Sequence, residues 1–455
     1  MRLRPCFSAL SGIVFLLLAR HSSCRAVSSD EAIVPSKDSF YEVPPKVADF
    51  KPGHIFRHRI PDATYQAFFH KTNFIKEAHQ LLYRTADNHD DATATVLTVL
   101  VPENANMSRV LSYSVAEDAA SIDCAPSFGF QAAVEEHKLL TSATMQLQLL
   151  LIEAVLQRGW VVIIPDFQGP MAAYAANRLA SHGVLDGIRA ALQSKDTTGI
   201  EPDADVIIWG YSGGAAVTQL AVDMQPIYAP ELKLTGAAVG GIGNPDASLD
   251  DFLAFNEDAR TGLLVAALVG LSSQYEPLKK VIDDELKPEH REKFYTSLDQ
   301  CIEANLAAFF NKDIEPWFSD FDAVLNHPIW KKIISDNTRN TTTPTTPMLW
   351  YQSTRDEIVH ISVIDKSWKD YCDRGAKIDY IKDTAPNLLH RNYGVVGVGD
   401  ALTWIEARFD RKEDGSECSK KTTYTTNADP DFLKLFPDDI QKSLAVLINA
   451  PKDDQ

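Results

Sequence analysis

The sequence has little basic charge and few long apolar runs. Its 44 Lys and Arg residues are outnumbered by 62 Asp and Glu residues, so the formal net charge is -18 at pH 7. A phosphate backbone would be repelled by this excess of negative charge, which argues against a nucleic-acid partner. Beyond residue 19 no apolar run reaches the roughly 20 residues of a membrane-spanning helix, so no integral membrane segment is expected. No internal repeat is present, and 455 residues predict a globular protein with one large domain or two.

The N-terminus carries the one segment with a targeting pattern. Arg2 and Arg4 precede an apolar core at residues 7–19, and small residues follow at 22–26. This order is typical of a secretory signal peptide ending near residue 26. A signal anchor is the alternative, but the apolar core is short for a membrane span. The sequence therefore predicts a secreted, extracellular protein.

Cysteine is scarce, and secretion changes the bonding expected of the six cysteines. Cys6 and Cys24 would leave with the signal peptide, and the mature chain keeps four, namely Cys124, Cys301, Cys372 and Cys418. In an oxidising compartment four cysteines predict two disulfide bonds, for which the sequence alone allows three pairings. Asn106-Met-Ser and Asn340-Thr-Thr are candidate N-glycosylation sites.

The segment at residues 205–224 carries the strongest functional signal. A strand-like apolar run at 206–209 stops at Gly210, and a helix-forming stretch starts at Gly214, so only a very tight turn can join them. Ser212 lies at its apex, and Gly-x-Ser-x-Gly between a strand and a helix is typical of a nucleophile elbow. Glycine on each side leaves room where a side chain would collide with a neighbouring element. The alternative is a glycine-rich turn with a capping serine.

Strand-like and helix-like segments alternate through most of the chain, which predicts an α/β protein with a mainly parallel sheet. Strands are predicted at 94–101, 110–115, 160–164, 206–209, 234–240, 348–351 and 377–381, the first two as neighbours and the last as the final core strand. Helices are predicted at 146–158, 182–192, 362–371 and 401–409. The Gly-rich end of the strand at 234–240 lacks the Gly-Lys-Ser/Thr of a nucleotide-binding loop.

Four regions follow from these patterns. They are a signal peptide at 1–26, the first part of the core at 27–248 with an extended lead-in to about residue 90, a helical cap insertion at 249–340, and the second part of the core at 341–455. Within the insertion, helices are predicted at 261–271, 278–286, 290–307 and 321–334. Aromatic residues between 432 and 447 are predicted to fold back as a flap.

A serine nucleophile needs a base, and the base needs an orienting carboxylate. In the fold that the elbow implies, the order along the chain is serine, acid, histidine, each on a loop after a core strand. Asp356 follows the strand at 348–351 and is preferred over its neighbour Glu357, which is then expected to face outward or to act as a cap. Of the two histidines downstream, His360 is too close to Asp356 in sequence, which leaves His390 as the base.

The oxyanion formed by nucleophilic attack needs backbone N–H donors. The residue after the nucleophile, Gly213, supplies the first. The second is expected in the turn after the strand at 110–115, from Asp118 or Ala119, and the spacing does not select between them.

Several motifs together resemble the fungal secretory lipases of the Candida antarctica lipase A type. They are Gly-Tyr-Ser-Gly-Gly at 210–214, Glu-Asp and Cys-Ala-Pro-Ser within 117–127, Pro-Asp-Phe-Gln-Gly-Pro at 165–170, Val-Leu-Asp-Gly-Ile-Arg-Ala at 184–190 and Asp-Glu-Ile-Val at 356–359. The resemblance spans nearly all of the mature chain. It implies an α/β-hydrolase fold with a helical cap and a C-terminal flap, and ester hydrolysis on long-chain lipids.

The resemblance also assigns residues. It implies a triad of Ser212, Asp356 and His390, an oxyanion hole of Asp118 and Gly213, and disulfide bonds from Cys124 to Cys301 and from Cys372 to Cys418. One departure from the family pattern is the segment Arg391-Asn392-Tyr393 after the base, where relatives have smaller residues.

The sequence thus predicts a secreted serine triacylglycerol lipase that acts through an acyl-enzyme. It is expected to need no cofactor or metal, to work as a monomer and to meet its lipid or ester substrate at an oil–water interface. The alternatives are a carboxylesterase or acetyl-esterase, an acyltransferase for a small metabolite, and a binding protein that keeps the fold without catalysis.

Overall fold

The computed structural model describes residues 33–68, 70–242, 253–338, 342–412, 417–425 and residue 441. The predicted signal peptide and the Asn340 sequon lie outside these residues, as do the boundaries predicted near 248 and 340. Of the flap predicted at 432–447, only Gln441 is described. No helix within the described ranges combines the length and the apolar character needed to cross a bilayer.

A ten-stranded sheet forms the centre of the described chain. The strands are β1 (Ile55–Arg59), β2 (Gln66–Ala67), β3 (His70–Lys71), β4 (Ile75–Ala86), β5 (Ala92–Pro102), β6 (Asn106–Ser114), β7 (Trp160–Pro165), β8 (Asp205–Tyr211), β9 (Leu234–Gly240), β10 (Met348–Ser353), β11 (Ile378–Asp383) and β12 (Ser419–Thr423). The sheet order is β1-β4-β5-β7-β6-β8-β9-β10-β11-β12, while β2 and β3 pair separately. The pairs from β7 to β12 are parallel, and the pairs among β1, β4, β5 and β7 are antiparallel.

Fourteen α-helices lie in the described ranges. They are α1 (Pro126–Gly129), α2 (Ala143–Gln157), α3 (Asn177–Gln193), α4 (Lys195–Thr198), α5 (Gly213–Tyr228), α6 (Thr261–Ser272), α7 (Glu276–Glu285), α8 (Pro288–Tyr295), α9 (Ile302–Ala308), α10 (Phe321–Leu325), α11 (Ile329–Asn337), α12 (Ile361–Asp373), α13 (His390–Val396) and α14 (Val398–Phe409). Short 3₁₀ helices occur at Pro35–Lys37, Ser39–Tyr41, Val47–Asp49, Ile122–Cys124, Ala132–Glu136, Thr296–Asp299 and Glu315–Trp317.

Helices cover both faces of the sheet, which explains why its central strands are almost continuously apolar. Successive residues of β7 point to opposite sides, so Val162 packs with α2 and α14, and Val161 packs with α3 and α5. A strand buried on both faces cannot show the apolar–polar alternation of a half-exposed strand. The apolar run at 160–164 therefore predicted this strand correctly.

Helices α6–α11 lie between β9 and β10, where the sequence predicts a helical insertion. Their apolar side chains form one cluster that also includes Ala173, Ala176 and Leu179, so the insertion packs on the chain that leads into α3. The contact is close, because a Cβ on Gly270 would lie 2.5 Å from the backbone nitrogen of Tyr174. The apolar helix α6 is thus buried rather than exposed, as its sequence requires.

Two disulfide bonds connect distant segments. Cys124 pairs with Cys301 and links the loop after β6 to the helical insertion, and Cys372 pairs with Cys418 and links α12 to the start of β12. These are the two pairings that the resemblance implies.

The strands predicted at 94–101 and 110–115 are not neighbours, and that prediction is wrong. Strand β7 lies between β5 and β6. Neighbouring strands are about 4.8 Å apart, so the three residues between β5 and β6 are enough to cross the width of one strand. The N–H of Asn106 donates to the carbonyl of Gly159 at 2.7 Å, which joins the start of β6 to the start of β7.

Two further predictions need correction at the sheet edges. The segment before residue 90 is not merely an extended lead-in, because β4 is a 12-residue strand that pairs along its length with β5. Polar residues such as His79 and Gln80 interrupt the apolar pattern that would have predicted β4. The Gln80 side chain is nevertheless buried and donates to the carbonyl of Ser127. The strand at 377–381 is not the last, since β12 adds a further parallel strand whose residues are almost all exposed and give no apolar signal.

The helices predicted at 290–307 and 321–334 are each interrupted. The first breaks before α9, where the N–H of Cys301 donates to the carbonyl of Leu139. The second breaks at Pro328, which has no backbone N–H to continue a helix.

Candidate active site

Ser212 lies at the turn between β8 and α5 in a strained conformation. Its φ is 55° and its ψ is -122°, values that a residue with a side chain rarely adopts. The two flanking glycines allow this geometry. A Cβ on Gly210 would lie 2.3 Å from the carbonyl oxygen of Gly214, and a Cβ on Gly214 would lie 2.0 Å from that of Ser114. The turn therefore has the steric requirements of a nucleophile elbow, which holds the serine hydroxyl clear of the sheet.

The structure brings Ser212, His390 and Asp356 together. Ser212 Oγ lies 2.8 Å from His390 Nε2, and His390 Nδ1 lies 2.7 Å from Asp356 Oδ2. His390 and Asp356 are both largely buried, so water does not compete freely for these hydrogen bonds. We refer to these three residues as the candidate triad.

Asp356 is held by the backbone of its own loop. Its Oδ1 accepts hydrogen bonds from the N–H groups of Ile358 and Val359, at 2.9 and 3.0 Å. Its Oδ2 also accepts from Gln352 Nε2 at 2.7 Å. These hydrogen bonds fix the orientation of the carboxylate. Gln352 is the penultimate residue of β10, four residues before Asp356, and the sequence analysis did not identify it.

Glu357 and Tyr211 both form hydrogen bonds with the backbone of His390, and the Tyr211 ring also packs against the imidazole. Glu357 Oε2 accepts from the N–H of His390 at 2.8 Å, so it caps the start of α13, which is one of the two roles expected for it. The hydroxyl of Tyr211 donates to the carbonyl of His390 at 2.6 Å. His390 is the first residue of α13. The sequence analysis placed it on a loop, and that prediction is wrong. His360, the rejected base, lies apart and contacts Ser362.

The loop after β6 places Asp118 directly beside the elbow. A Cβ on Gly213 would lie 2.1 Å from Asp118 Oδ1. Asp118 also has a positive φ of 46°. Among the described residues, neither the N–H of Asp118 nor that of Gly213 has a hydrogen-bond partner. Ala119, the alternative, packs its side chain with Cys124 and Phe128 in a separate cluster.

Three carboxyl groups that follow the ends of β6 and β7 are buried and have raised pKa values. Burial raises the pKa of Asp118 to about 6, although attraction to His390 opposes the shift. Burial raises the pKa of Asp166 to about 7 despite two hydrogen bonds from Ser127. Burial also raises the pKa of Glu117 well above its usual range, with repulsion from Asp166 adding to the effect.

A raised pKa at Asp166 predicts a stability that increases on mild acidification. The folded protein keeps this proton up to about pH 7, whereas the unfolded chain releases it near pH 4, so the free energy of unfolding falls as pH rises between these values. We expect Asp166→Asn to reduce the difference in unfolding free energy between pH 5 and pH 8 by on the order of 2 kcal/mol. Denaturant titrations at both pH values measure this difference, and an unchanged difference would contradict the assignment.

A cavity of about 100 Å³ borders the candidate oxyanion donors. Asp118 and Gly213 line it at one side, and its remaining lining is mostly apolar or aromatic, from Phe167, Ala173, Tyr174, Ala176, Ala180, Ala216 and Val217. Its wall therefore joins the loop at 167–177 to the first turns of α3 and α5. In the described ranges no group of three or more His, Cys, Asp or Glu side chains could hold a metal ion.

Comparison with known proteins identifies the family. The model of the secretory lipase family matches residues 134–417. The chain is 37% identical to lipase A of Arthroderma benhamiae, over 93% of this chain and 90% of that protein. It is 35% identical to lipase 10 of Candida albicans, over 85% of this chain and 83% of that protein. This chain belongs to the secretory lipase family.

Solved structures agree with this membership. Candida antarctica lipase A matches with a TM-score of 0.77 and 25% identity, over 91% of this chain and 95% of that one. The rice cell wall degrading esterase LipA of Xanthomonas oryzae matches with a TM-score of 0.58 and 14% identity, over 80% of this chain and 100% of that one, and so supports the fold alone. The α/β-hydrolase fold is thereby confirmed. As a secretory lipase the chain is a carboxylic ester hydrolase with a lipid or ester substrate.

Proposed function

We propose that this secretory lipase is an extracellular triacylglycerol lipase whose nucleophile is Ser212, with His390 as general base and Asp356 as its orienting acid. The observation that supports this most strongly is the unbroken hydrogen-bond chain from Ser212 Oγ through both ring nitrogens of His390 to Asp356. A histidine that contacts only a serine, with no carboxylate at its other ring nitrogen, would not form this chain. The acid at the far nitrogen selects the tautomer whose Nε2 can accept the serine proton.

The reaction follows from this geometry in two halves. His390 Nε2 takes the proton of Ser212 as Oγ attacks the ester carbonyl carbon, and the carbonyl π electrons move to the oxygen, forming a tetrahedral oxyanion. When the oxyanion collapses, the bond to the leaving alcohol breaks and His390 returns the proton to that alcohol. In the second half, His390 takes a proton from water as the water oxygen attacks the acyl carbon. The bond from this carbon to Ser212 Oγ then breaks, Oγ receives the proton from His390, and the fatty acid is released.

The N–H groups of Asp118 and Gly213 are proposed to stabilise the oxyanion. Asp118 lies on the loop after β6 and Gly213 begins α5, so the positive end of this helix adds to the effect of the two N–H groups. Asp118 is preferred over Ala119 because its side chain packs directly against Gly213.

Residues 249–340 are proposed to act as a cap over the acyl-binding region. The described part of this segment packs on the loop that lines the cavity, through Gly270 against Tyr174. An apolar cavity next to the oxyanion donors is suited to the acyl part of an ester, because it excludes water from the chain. The proposal includes contact with an oil–water interface, which Met171 of the same loop, 59% exposed, is placed to meet.

A chain-length series tests this function against a short-chain esterase. Each buried methylene stabilises a bound acyl chain by about 0.8 kcal/mol, so we expect kcat/KM to rise by about tenfold or more from acetate to the octanoate-to-palmitate range of p-nitrophenyl esters. Emulsified triolein should also be hydrolysed, with fatty acid measured by titration. Turnover confined to acetate and butyrate, with none on the emulsion, would contradict a lipase and favour an acetyl-esterase.

A further inference from the structure

We infer that the buried side-chain amide of Gln148 positions the oxyanion hole by holding the loop that carries Asp118. Gln148 lies on α2 and is 6% exposed. Its Oε1 accepts from the N–H of Ala116 at 2.8 Å, and its Nε2 donates to the carbonyl of the same residue at 3.3 Å. One side chain therefore binds both polar backbone groups of the residue two positions before Asp118. This inference rests on the proposed function, since it concerns the same reaction.

The loop needs such support because its conformation is unfavourable. Asp118 adopts a positive φ of 46°, a region in which a side chain crowds the backbone. Residues 115–119 form neither helix nor strand. A strained backbone persists only where surrounding contacts over-determine it, so losing the Ala116 contacts would let the Asp118 N–H turn away from the oxyanion.

The elbow holds the loop from the other side. A Cβ on Gly214 would lie 2.0 Å from the carbonyl oxygen of Ser114 and 3.5 Å from the nitrogen of Ala116. Thr218 on α5 also donates to the hydroxyl of Ser114 at 3.0 Å. The segment from Ser114 to Asp118 is thus enclosed between α5 and Gln148, with little room to move on the α5 side.

Gln148 is itself fixed in orientation. Its Nε2 also donates to the carbonyl of Thr144, one turn earlier on α2, at 3.2 Å. Thr144 donates from its N–H and its hydroxyl to Glu303 Oε1, both at 2.7 Å, and Glu303 belongs to α9 of the insertion. The N–H of Ala116 requires an oxygen opposite it and its carbonyl requires a donor, so only one orientation of the amide satisfies both.

Gln225 is a matched control for this role. It is also 6% exposed, and its Nε2 donates to the carbonyls of Ala229 and Leu232 at 3.0 Å each. Like Gln148, it therefore binds the backbone of a loop through its side-chain amide, although only as a donor. It lies on α5 about 18 Å along the helix axis from Gly213, away from the reacting atoms.

The test compares Gln148→Met with Gln225→Met in the full secreted chain. An oxyanion donor acts only in the transition state, so we expect Gln148→Met to lower kcat for soluble p-nitrophenyl butyrate by about 10- to 100-fold with KM changed by less than about threefold. The inhibition constant of a trifluoromethyl ketone, which forms a tetrahedral adduct with serine, should rise by the same factor as kcat/KM falls. Gln225→Met should lower Tm to a similar extent with kcat unchanged.

The outcomes separate this inference from the proposed function. A lower Tm in Gln148→Met with wild-type kcat, or a raised KM alone, would overturn the inference, while turnover by the unmodified chain would leave the proposed ester hydrolysis standing. An unmodified chain without ester hydrolysis would overturn both. If Gln148→Met is not secreted in folded form, Gln148→Asn, whose shorter amide cannot span both groups of Ala116, is judged by the same criteria.

Discussion

Replacing Ser212 by alanine is expected to lower kcat on p-nitrophenyl esters by about 10⁵-fold, because the hydroxyl proposed to form the acyl-enzyme is removed. The substitution removes only Oγ, whose hydrogen bond is to His390 Nε2. The strained backbone at this position suits alanine no worse than serine, so the fold should persist. A fluorophosphonate probe, which reacts with an activated serine, should no longer label the protein.

A second serine–histidine pair provides the control. Ser362 Oγ lies 2.8 Å from His360 Nδ1, the same separation as between Ser212 and His390. This pair lies on the exposed start of α12, and Asp356 bonds to His390 instead. Ser362→Ala should leave kcat unchanged. Substantial turnover in Ser212→Ala, or a comparable loss in Ser362→Ala, would contradict the assignment of Ser212 as the nucleophile.

Asp356→Asn is expected to lower kcat by about 10⁴-fold with little change in KM. An amide at this position donates where the carboxylate accepted, which favours the wrong tautomer of His390 and removes the negative charge that stabilises the imidazolium. The loop should keep its shape, because the amide oxygen can still accept from the N–H groups of Ile358 and Val359. Steady-state kinetics on p-nitrophenyl butyrate and a thermal unfolding curve measure the two effects.

Glu357→Gln is the matched comparison, since the two carboxylates are adjacent in sequence. Glu357 accepts from the backbone N–H of His390, and a glutamine oxygen can do the same, so kcat should change by less than about fivefold. The reverse pattern, with Glu357→Gln inactive and Asp356→Asn active, would show that Glu357 is the acid and that the assignment to Asp356 is wrong.

Local sequence order predicted the residues that the structure brings together. A nucleophile elbow requires glycines that the printed motif shows directly, and the order serine, acid, histidine leaves few downstream candidates. The orientation of Glu357 toward the N–H of His390, and the start of a helix at the base itself, depend on how two loops meet in space. Sequence spacing holds no information on such contacts, which is why both roles of Glu357 stayed open.

The same limit explains the errors at the sheet edges. Strand β4 has no continuous apolar pattern because its buried polar residues are satisfied by tertiary partners. Thr85, for example, donates to Asp186 Oδ2 at 2.8 Å. Strand β12 is exposed and polar, so it has no apolar pattern at all. Gln148 shows the same effect at the site, since a buried glutamine within an apolar helix has no motif, and only its contacts with Ala116 indicate a role.

The most direct test of a serine-centred reaction is to trap the acyl-enzyme. The protein is mixed with p-nitrophenyl octanoate, quenched in acid during the first turnover, digested and analysed by mass spectrometry. The peptide that contains Ser212 should carry one octanoyl group, with a burst of p-nitrophenol equal to the enzyme concentration, and Ser212→Ala should show neither. An octanoyl group on another residue would contradict the proposed triad, as would steady turnover by a chain that never becomes acylated.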